Sequence, residues 1–567
     1  MRIFKWDIAD TAIALVATAG TILLLCDVFA VGLTVWAVAY CGMLARVIPR
    51  GGLSAGRAVG RQLTARIILA FGVAGLVLHR EPAVEWLAWL AIAVLVLAIR
   101  VETTLRKVST YTGIRAENLP GLRLRPNRHG VDLAYVAVAT LALPALLLLG
   151  VGGVAGWAWL AVAVIQVAAG VLVAAEALRR RRASRTSYEA LPEALDRLAP
   201  RFVLYWDAPA RSQYQLAMWL PHLERLGVPF YVMVRNAASY ADAVSVAGGT
   251  PIVLCKTMQD AERARPESLR AAFYVNNAAR NSHFVRFHEL THVQLLHGDS
   301  DKAPSYNPVT AMFDRIFVAG RAGRDRYSAH GIDIPAEKFR IVGRPQVVGI
   351  ERATWTGGDL SGAGVLYAPT WQGYHDDAAY SSMGSAAAIA RVVIEQGSRL
   401  IFRPHPYCHR DPGFRAIIEQ VHELLRDDTR RTGRDHLFGE VAETEMSLIE
   451  CFNAADVMIA DVSGVLADFL YSEKPFLIVT DTSDTEEFVR EFPLARAAYV
   501  VDGSPEAMRA TLTEVATTDP LADMRRAQRT YYLGDFPEAG YEDAFLAAAA
   551  EAAGLRRPSP VAAESDR

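Results

Sequence analysis

The sequence predicts an α/β protein built from a pair of doubly wound domains, preceded by an all-α region of about six membrane helices. Three observations carry this. Apolar residues crowd the chain before about Leu178, in stretches long enough for a bilayer. After Ser184 short apolar runs alternate with amphipathic ones, the pattern of βαβ units. A glycine-rich stretch from Gly357 to Gly364 divides the second part in two.

The 567 residues exceed what one hydrophobic core organises. Hydrophobic residues make up 52% and mean hydropathy is +0.17, high for a soluble chain. A formal net charge of −2 offers no global field for nucleic acid, so no nucleic-acid partner is expected. Cys26, Cys41, Cys255, Cys408 and Cys451 form no CxxC pair, which implies neither a disulfide framework nor a zinc site.

The apolar stretches are Ile8–Cys26, Val28–Ala45, Ile67–His79, Trp86–Ile99, Leu133–Val151 and Val154–Ala177. A helix needs about 20 residues to cross the hydrocarbon. The third and fourth are shorter and call on Arg66 and Glu85 to reach outward. Cations alternate by loop: Arg2 and Lys5, then Arg46 to Arg66, then Arg100 to Arg128, then Arg179 to Arg185, with only Arg80 in the other loops. The positive-inside rule then places the N-terminus and the second part in the cytoplasm, and an even number of crossings requires the same. The run Arg179 to Arg182 suits anionic lipid headgroups and equally a solvated helix end. Asp10, Asp27 and Glu176 lie near span ends, which disfavours a transport path.

The domains expected are residues 1–185 in the membrane, 195–355 and 356–550 as the two α/β halves, and 551–567 as a disordered tail. Strands are read at Phe202–Trp206, Phe230–Val234, Ile252–Leu254, Ala272–Val275, His292–Leu296, Arg315–Val318 and Phe339–Val342. A second set follows at Val365–Ala368, Leu400–Phe402, Val457–Ala460 and Phe476–Val479. Gln213–Leu226 reads as one helix.

Ligands in such sheets bind outside the carboxyl ends of the strands, so the residues just after strands are the candidates. His297 ends an apolar run and precedes Gly298, where the chain can turn sharply and a substrate approach. Its imidazole suits a general base, though an ordinary loop histidine fits as well. His292, five residues earlier, faces the other way and is structural. Asp299, Lys302, Ser305, Tyr306 and Asn307 form a polar loop that either holds an anionic substrate or is merely solvated.

His405 stands between two prolines after Arg403, whose planar fork matches phosphate oxygens. A plain strand-to-helix connection is the competing reading. Ser463 and Gly464 open a helix after a strand, with Asp461 at the strand end and Asp468 further along. Ser463 is a good N-cap, and such a start suits phosphate, although caps are common. Thr370 follows another strand and offers a donor, beside Trp371. Two histidines and a helix start in one crevice would make a phosphate-transfer site. No metal is expected, since Cys408 and His409 lack ligand spacing.

Together these runs resemble the CDP-glycerol glycerophosphotransferase family of teichoic acid polymerases over about residues 200–545. Its His-Gly-Thr-Pro with a following lysine is seen as His297-Gly298-Asp299-Ser300-Asp301-Lys302. Its Tyr-Ala-Pro-Thr-Trp is Tyr367 to Trp371, and its Arg-Pro-His-Pro is Arg403 to Pro406. Its Ala-Asp segment ending in Asp-Tyr-Ser-Ser resembles Ala455 to Gly464, followed by Ala467-Asp468 and Lys474-Pro475-Phe476. Departures are Asp299-Ser300 for Thr-Pro, Gly343-Arg344-Pro345-Gln346 without the usual Arg-Asn-Asp ending, Gln372 where an arginine is frequent, and Gly464 for the second serine.

The resemblance implies a GT-B architecture, a CDP-glycerol substrate without a separate cofactor, and transfer of glycerol phosphate or a similar polyol phosphate to a hydroxyl of a lipid-linked acceptor, with release of CMP. It also implies His297 as the base for the acceptor, His405 as the residue assisting at the pyrophosphate, and Arg403, Ser463 and Gly464 as donor phosphate contacts. Two rivals remain: a GT-B glycosyltransferase using a UDP- or GDP-sugar, and a non-catalytic membrane scaffold.

Overall fold

The computed structural model describes residues 8–47, 60–78, 85–110, 115–122, 130–154, 156–298, 301, 303–354, 357–373, 380–481 and 484–555. The chain divides into two compact units, one of residues 1–116 and 121–191, the other of 117–120 and 192–567.

The first unit is helical. Among the described residues, five helices are long and apolar enough to cross a membrane: Ile8–Leu25, Phe29–Val47, Glu85–Thr110, Gly130–Gly152 and Gly156–Leu198. The fourth apolar stretch thus becomes a helix of full membrane length. The third becomes Leu63–Leu78, whose 16 residues extend about 24 Å, short of a hydrocarbon core of about 30 Å. Small residues let these helices approach closely: a Cβ on Gly20 would lie 2.9 Å from the Trp36 nitrogen, and one on Gly72 2.8 Å from the Trp36 ring. The Trp36 indole donates to the Leu69 carbonyl at 2.9 Å, so its polar edge is satisfied inside the bundle.

Arg66 does not reach outward as expected. It is 0% exposed and pairs with the equally buried Glu102 at 2.7 Å. A guanidinium desolvated among helices needs a counter-charge, and Glu102 supplies it across the helix pair. Glu176 likewise belongs to a network, bonded to Arg179 and Arg180, with Arg180 also bonded to Asp132 at 2.7 Å.

The second unit carries two parallel sheets, and the α/β class expected from the alternating pattern is what folds. Seven of the eight strands of the first sheet, those from Phe202 onward in the chain, run in the order Ile252–Leu254, Phe230–Val234, Phe202–Trp206, Ala271–Tyr274, Thr291–Gln294, Arg315–Val318, Phe339–Ile341. All six junctions are parallel. The second sheet runs Arg399–Phe402, Gly364–Ala368, Val457–Ala460, Phe476–Val479, Tyr499–Val501, again all parallel. Most of these strands are buried along their whole length, because helices cover both faces. The chain reverses its direction of progress across the first sheet between Phe202–Trp206 and Ala271–Tyr274, and across the second beside Gly364–Ala368. Crevices at the carboxyl edges open at such points.

The helix expected over Gln213–Leu226 is two short ones, Tyr214–Ala217 and Leu220–Glu224. Pro221 lacks the N–H that a continuous helix needs and sits instead in the first turn of the second. The glycine stretch ends in a close contact, since a Cβ on Gly364 would lie 2.2 Å from the Ala454 carbonyl oxygen.

An apolar seam joins the two α/β halves. Ala319, Ala322, Val347 and Ile350 of the first pack with Leu466, Phe469, Leu470 and Tyr532 of the second. Gly320 admits the chain at this seam, because a Cβ there would meet the Tyr531 carbonyl oxygen at 2.4 Å. The last helix, Asp543–Ala552, returns to the first sheet, where Phe545 and Ala549 join the core of Phe202, Trp219 and Phe273.

Candidate active site

Every candidate side chain described here follows a strand at the carboxyl edge of its sheet. His297 comes after Thr291–Gln294 and Arg344 after Phe339–Ile341. Thr370 comes after Gly364–Ala368, Arg403 and His405 after Arg399–Phe402, and Asp461 and Ser463 after Val457–Ala460. Asp299, Ser300 and Lys302 lie outside the described residues.

His297 sits on a strained turn. Leu296, just before it, holds φ at +54°, a left-handed conformation unfavourable for a branched side chain. Its surroundings impose it: the Leu296 carbonyl accepts from the Trp219 indole at 2.6 Å, and its N–H donates to Gln294 Oε1 at 3.3 Å. The ring of His297 meets Tyr214 edge to face at 5.8 Å. Its Nδ1 lies 2.8 Å from the Val275 carbonyl oxygen. A carbonyl only accepts, so Nδ1 carries the proton and Nε2 presents a lone pair. That is the tautomer of a base. Burial holds the imidazole below its ordinary pKa; the Val275 bond works against this and the positive charge of Arg344 adds to it.

His405 has the opposite arrangement. Its backbone N–H donates to the Pro369 carbonyl at 3.0 Å, and its Nδ1 accepts from the Tyr407 N–H at 3.1 Å. An amide N–H only donates, so the neutral ring carries its proton on Nε2. That is the tautomer of a hydrogen-bond donor. Trp371 stacks against the ring at 6.2 Å and Tyr407 meets its edge at 5.1 Å, which fixes its plane.

Asp461 organises the second-sheet edge. Its carboxylate is buried, and Oδ2 accepts from the Thr370 N–H at 2.6 Å and the Ser382 N–H at 3.1 Å. Thr370 is buried too, its carbonyl accepting from Ser381 Oγ at 2.6 Å. Asp461 therefore holds the loop that carries Trp371 against His405. Asp461→Ala strands two buried N–H groups, a cost of about 3 kcal/mol. We expect the thermal transition of the full chain to fall by several degrees, with Asp461→Asn, which keeps an acceptor oxygen, falling less.

Ser463 occupies the N-cap position of the helix Gly464–Phe469 but makes no capping bond. Its Oγ is buried and lacks a hydrogen-bond partner. The cap expected from sequence is therefore a hydroxyl left without its bond at the start of a helix, a place where anions are favoured. Arg403 turns toward its own domain: its Nη1 donates to the carbonyls of Ala442 and, at 2.8 Å, Met446. The role this geometry gives it is holding the segment 442–446. Beyond His297, the described polar residues also have partners within the protein. Ser305 is buried, Tyr306 stacks on His330, and Asn307 Oδ1 accepts from the Val309 N–H. Asp301 bonds to Arg326, to the Leu494 N–H at 3.1 Å and to the Tyr532 hydroxyl at 2.9 Å. Asp301 is thus a fastener to the second half.

His292 is structural, its two ring nitrogens bonded to the Tyr274 hydroxyl and the Phe287 carbonyl. His409 pairs with Glu443. Among the described residues no group of three His, Cys, Asp or Glu side chains is placed to hold a metal ion.

Arg344 is a residue that sequence reading did not count among the site candidates. It lies beside His297's turn, lining a cavity with Leu296 and Gly298, and forms a two-pronged ion pair with Asp468, Nη2 to Oδ2 at 3.0 Å. Its position immediately after a strand was the available signal. Through this pair the edge that carries His297 is tied to the helix that begins at Ser463.

Residues 356–499 match the family described as CDP-Glycerol:Poly(glycerophosphate) glycerophosphotransferase. Among curated proteins, no sequence matches this chain. Similar solved structures include a putative UDP-N-acetylglucosamine 2-epimerase from Listeria monocytogenes (12% identity, TM-score 0.41, covering 62% of this chain and 96% of that one). They also include a variant of the wall teichoic acid polymerase TagF soaked with CDPG (11% identity, TM-score 0.40, covering 65% and 93%). A third is UDP-GlcNAc 2-epimerase from Neisseria meningitidis bound to UDP-GlcNAc (11% identity, TM-score 0.40, covering 61% and 98%).

Proposed function

We propose that this chain, whose residues 356–499 match the CDP-glycerol:poly(glycerophosphate) glycerophosphotransferase family, is a CDP-glycerol-type transferase that works at a membrane. It moves glycerol phosphate, or a related polyol phosphate, to a hydroxyl of a lipid-linked acceptor. The observation that carries this reading is the content of the matched segment: Thr370, Arg403, His405, Asp461, Ser463, Gly464 and Asp468 all lie in it.

In the reaction the acceptor oxygen attacks the phosphorus of the glycerol phosphate. The bond from that phosphorus to the oxygen of CMP breaks, and CMP leaves with the electron pair. His297 Nε2 takes the acceptor proton. His405 Nε2–H and Ser463 Oγ donate to the diphosphate oxygens where charge builds. The opposite tautomers of the two rings suit these opposite tasks.

The apolar helices keep the enzyme beside a lipid-borne acceptor, which raises effective concentration. The cation-rich loops favour a cytoplasmic N-terminus and catalytic unit, and of the run from Arg179 to Arg182 the exposed Arg181 and Arg182 suit anionic lipids. An even number of crossings then requires Leu63–Leu78 to cross as well, in a locally thinned bilayer.

The test is a donor panel on the full chain in membranes with a lipid-linked acceptor. We expect CMP release from CDP-glycerol or another CDP-polyol. Release of UDP or GDP from nucleotide sugars instead makes the protein a glycosyltransferase, and donor binding without turnover makes it a scaffold.

A further inference from the structure

Two ties cross from the first α/β half to the second on either side of His297. One is Asp301, four residues downstream, bonded to the Leu494 N–H and the Tyr532 hydroxyl. The other is the Arg344–Asp468 pair, with side chains only 7% and 13% exposed. Arg344 is also anchored through its backbone, whose N–H donates to the Tyr541 hydroxyl at 3.2 Å, and that hydroxyl donates to the Leu533 carbonyl. Asp468 belongs to the helix that starts at Ser463. The pair therefore has one end at the turn that carries the base and the other on the element assigned to the donor phosphates.

We propose that Arg344 and Asp468 are positioning residues, whose ion pair holds the His297 turn in register with the Ser463 helix so that the base stands ready only while the two halves keep this contact. The inference rests on the reading of the chain as a transferase with His297 as base. A lone ion pair is a weak stabiliser, and the apolar seam around Phe469 and Val347 already joins the halves. What the pair adds is direction. The Arg344 guanidinium is fixed on two prongs, and the strained turn at Leu296 leaves His297 dependent on its surroundings.

The groups that face His297 among the described residues are the Tyr214 ring, the Val275 carbonyl and the Arg344 cation. This gives a readout that a merely structural tie would not move. The acid limb of the pH profile of kcat/KM reports protonation of the base. Arg344→Gln removes a cation that disfavours imidazolium, so that limb moves to higher pH. Asp468→Asn removes the charge that partly offsets the cation, so the limb moves to lower pH. Both variants lose about 10²-fold in kcat through misplacement of the base, and Arg344→Lys recovers part of the rate with the limb near its wild-type position.

Opposite displacement of the limb by the two variants supports the proposal. Limbs that stay put, or move the same way, overturn it. Should Arg344→Gln fail to fold, Asp468→Asn and Arg344→Lys still decide the matter, judged by the same limb. If the unmodified chain releases no CMP from any CDP-polyol, or if His297→Ala keeps the acid limb, the transferase reading has failed instead, and the two failures are distinct.

Discussion

His297→Ala lowers CMP release by about 10²- to 10⁴-fold, the range expected when a general base is removed. The geometry makes this specific. Nδ1 is held by the Val275 carbonyl, so only Nε2 can accept a proton, and no other described imidazole shares that turn. Burial and the Arg344 charge lower the pKa below its ordinary 6.5, so the ring is neutral and competent at pH 7. Activity is then retained from neutral pH downward until the lowered pKa is reached, and is lost below it. In the alanine variant this acid limb disappears along with the rate. Donor affinity stays near the wild-type value, because His297 belongs to the half that does not carry Ser463 or His405. A steady-state profile of CMP release from pH 5 to pH 8, with a donor-binding isotherm alongside, checks all three outcomes.

His405→Ala costs about 10²-fold in kcat, in the range found when a single donor to developing negative charge is lost. Tyr407's N–H occupies Nδ1 and so leaves the proton on Nε2. Trp371 and Tyr407 pack against the ring and hold its plane. Alanine removes the donor and leaves an unfilled space beside Trp371. His405→Gln, which offers an amide N–H in roughly the same region, recovers part of the loss. A base would not be rescued in this way, so the pair of variants separates a donor from a proton acceptor. Unlike His297→Ala, neither change removes the acid limb. Single-turnover measurement of CMP formation keeps the chemical step apart from product release.

Much of the fold is legible because it depends on local pattern. Phe202–Trp206, Phe230–Val234, Val457–Ala460 and Phe476–Val479 are strands with the limits read from their apolar runs. Position after a strand also singles out His297, His405, Asp461 and Ser463, since parallel sheets present such residues along one edge. What resisted reading is tertiary. Arg66 looks like an interfacial cation until Glu102 arrives from another helix. Arg344 and Asp468 stand 124 residues apart, and nothing local joins them. Arg403 has a phosphate binder's guanidinium, yet carbonyls of its own domain take up its Nη1. Ser463 has the type of an N-cap, but its backbone leaves the hydroxyl without the capping bond. Side-chain identity states what a residue can bind; the fold decides which partner reaches it first.

A structure of the full chain with CDP-glycerol bound tests the account most directly. The account predicts the diphosphate at the carboxyl edge of the second sheet, with Ser463 Oγ and His405 Nε2 on its oxygens and the glycerol phosphate facing His297 Nε2 across the Arg344–Asp468 pair. A donor lodged elsewhere, or one in contact with His405 while His297 faces away from the reacting phosphorus, would contradict it.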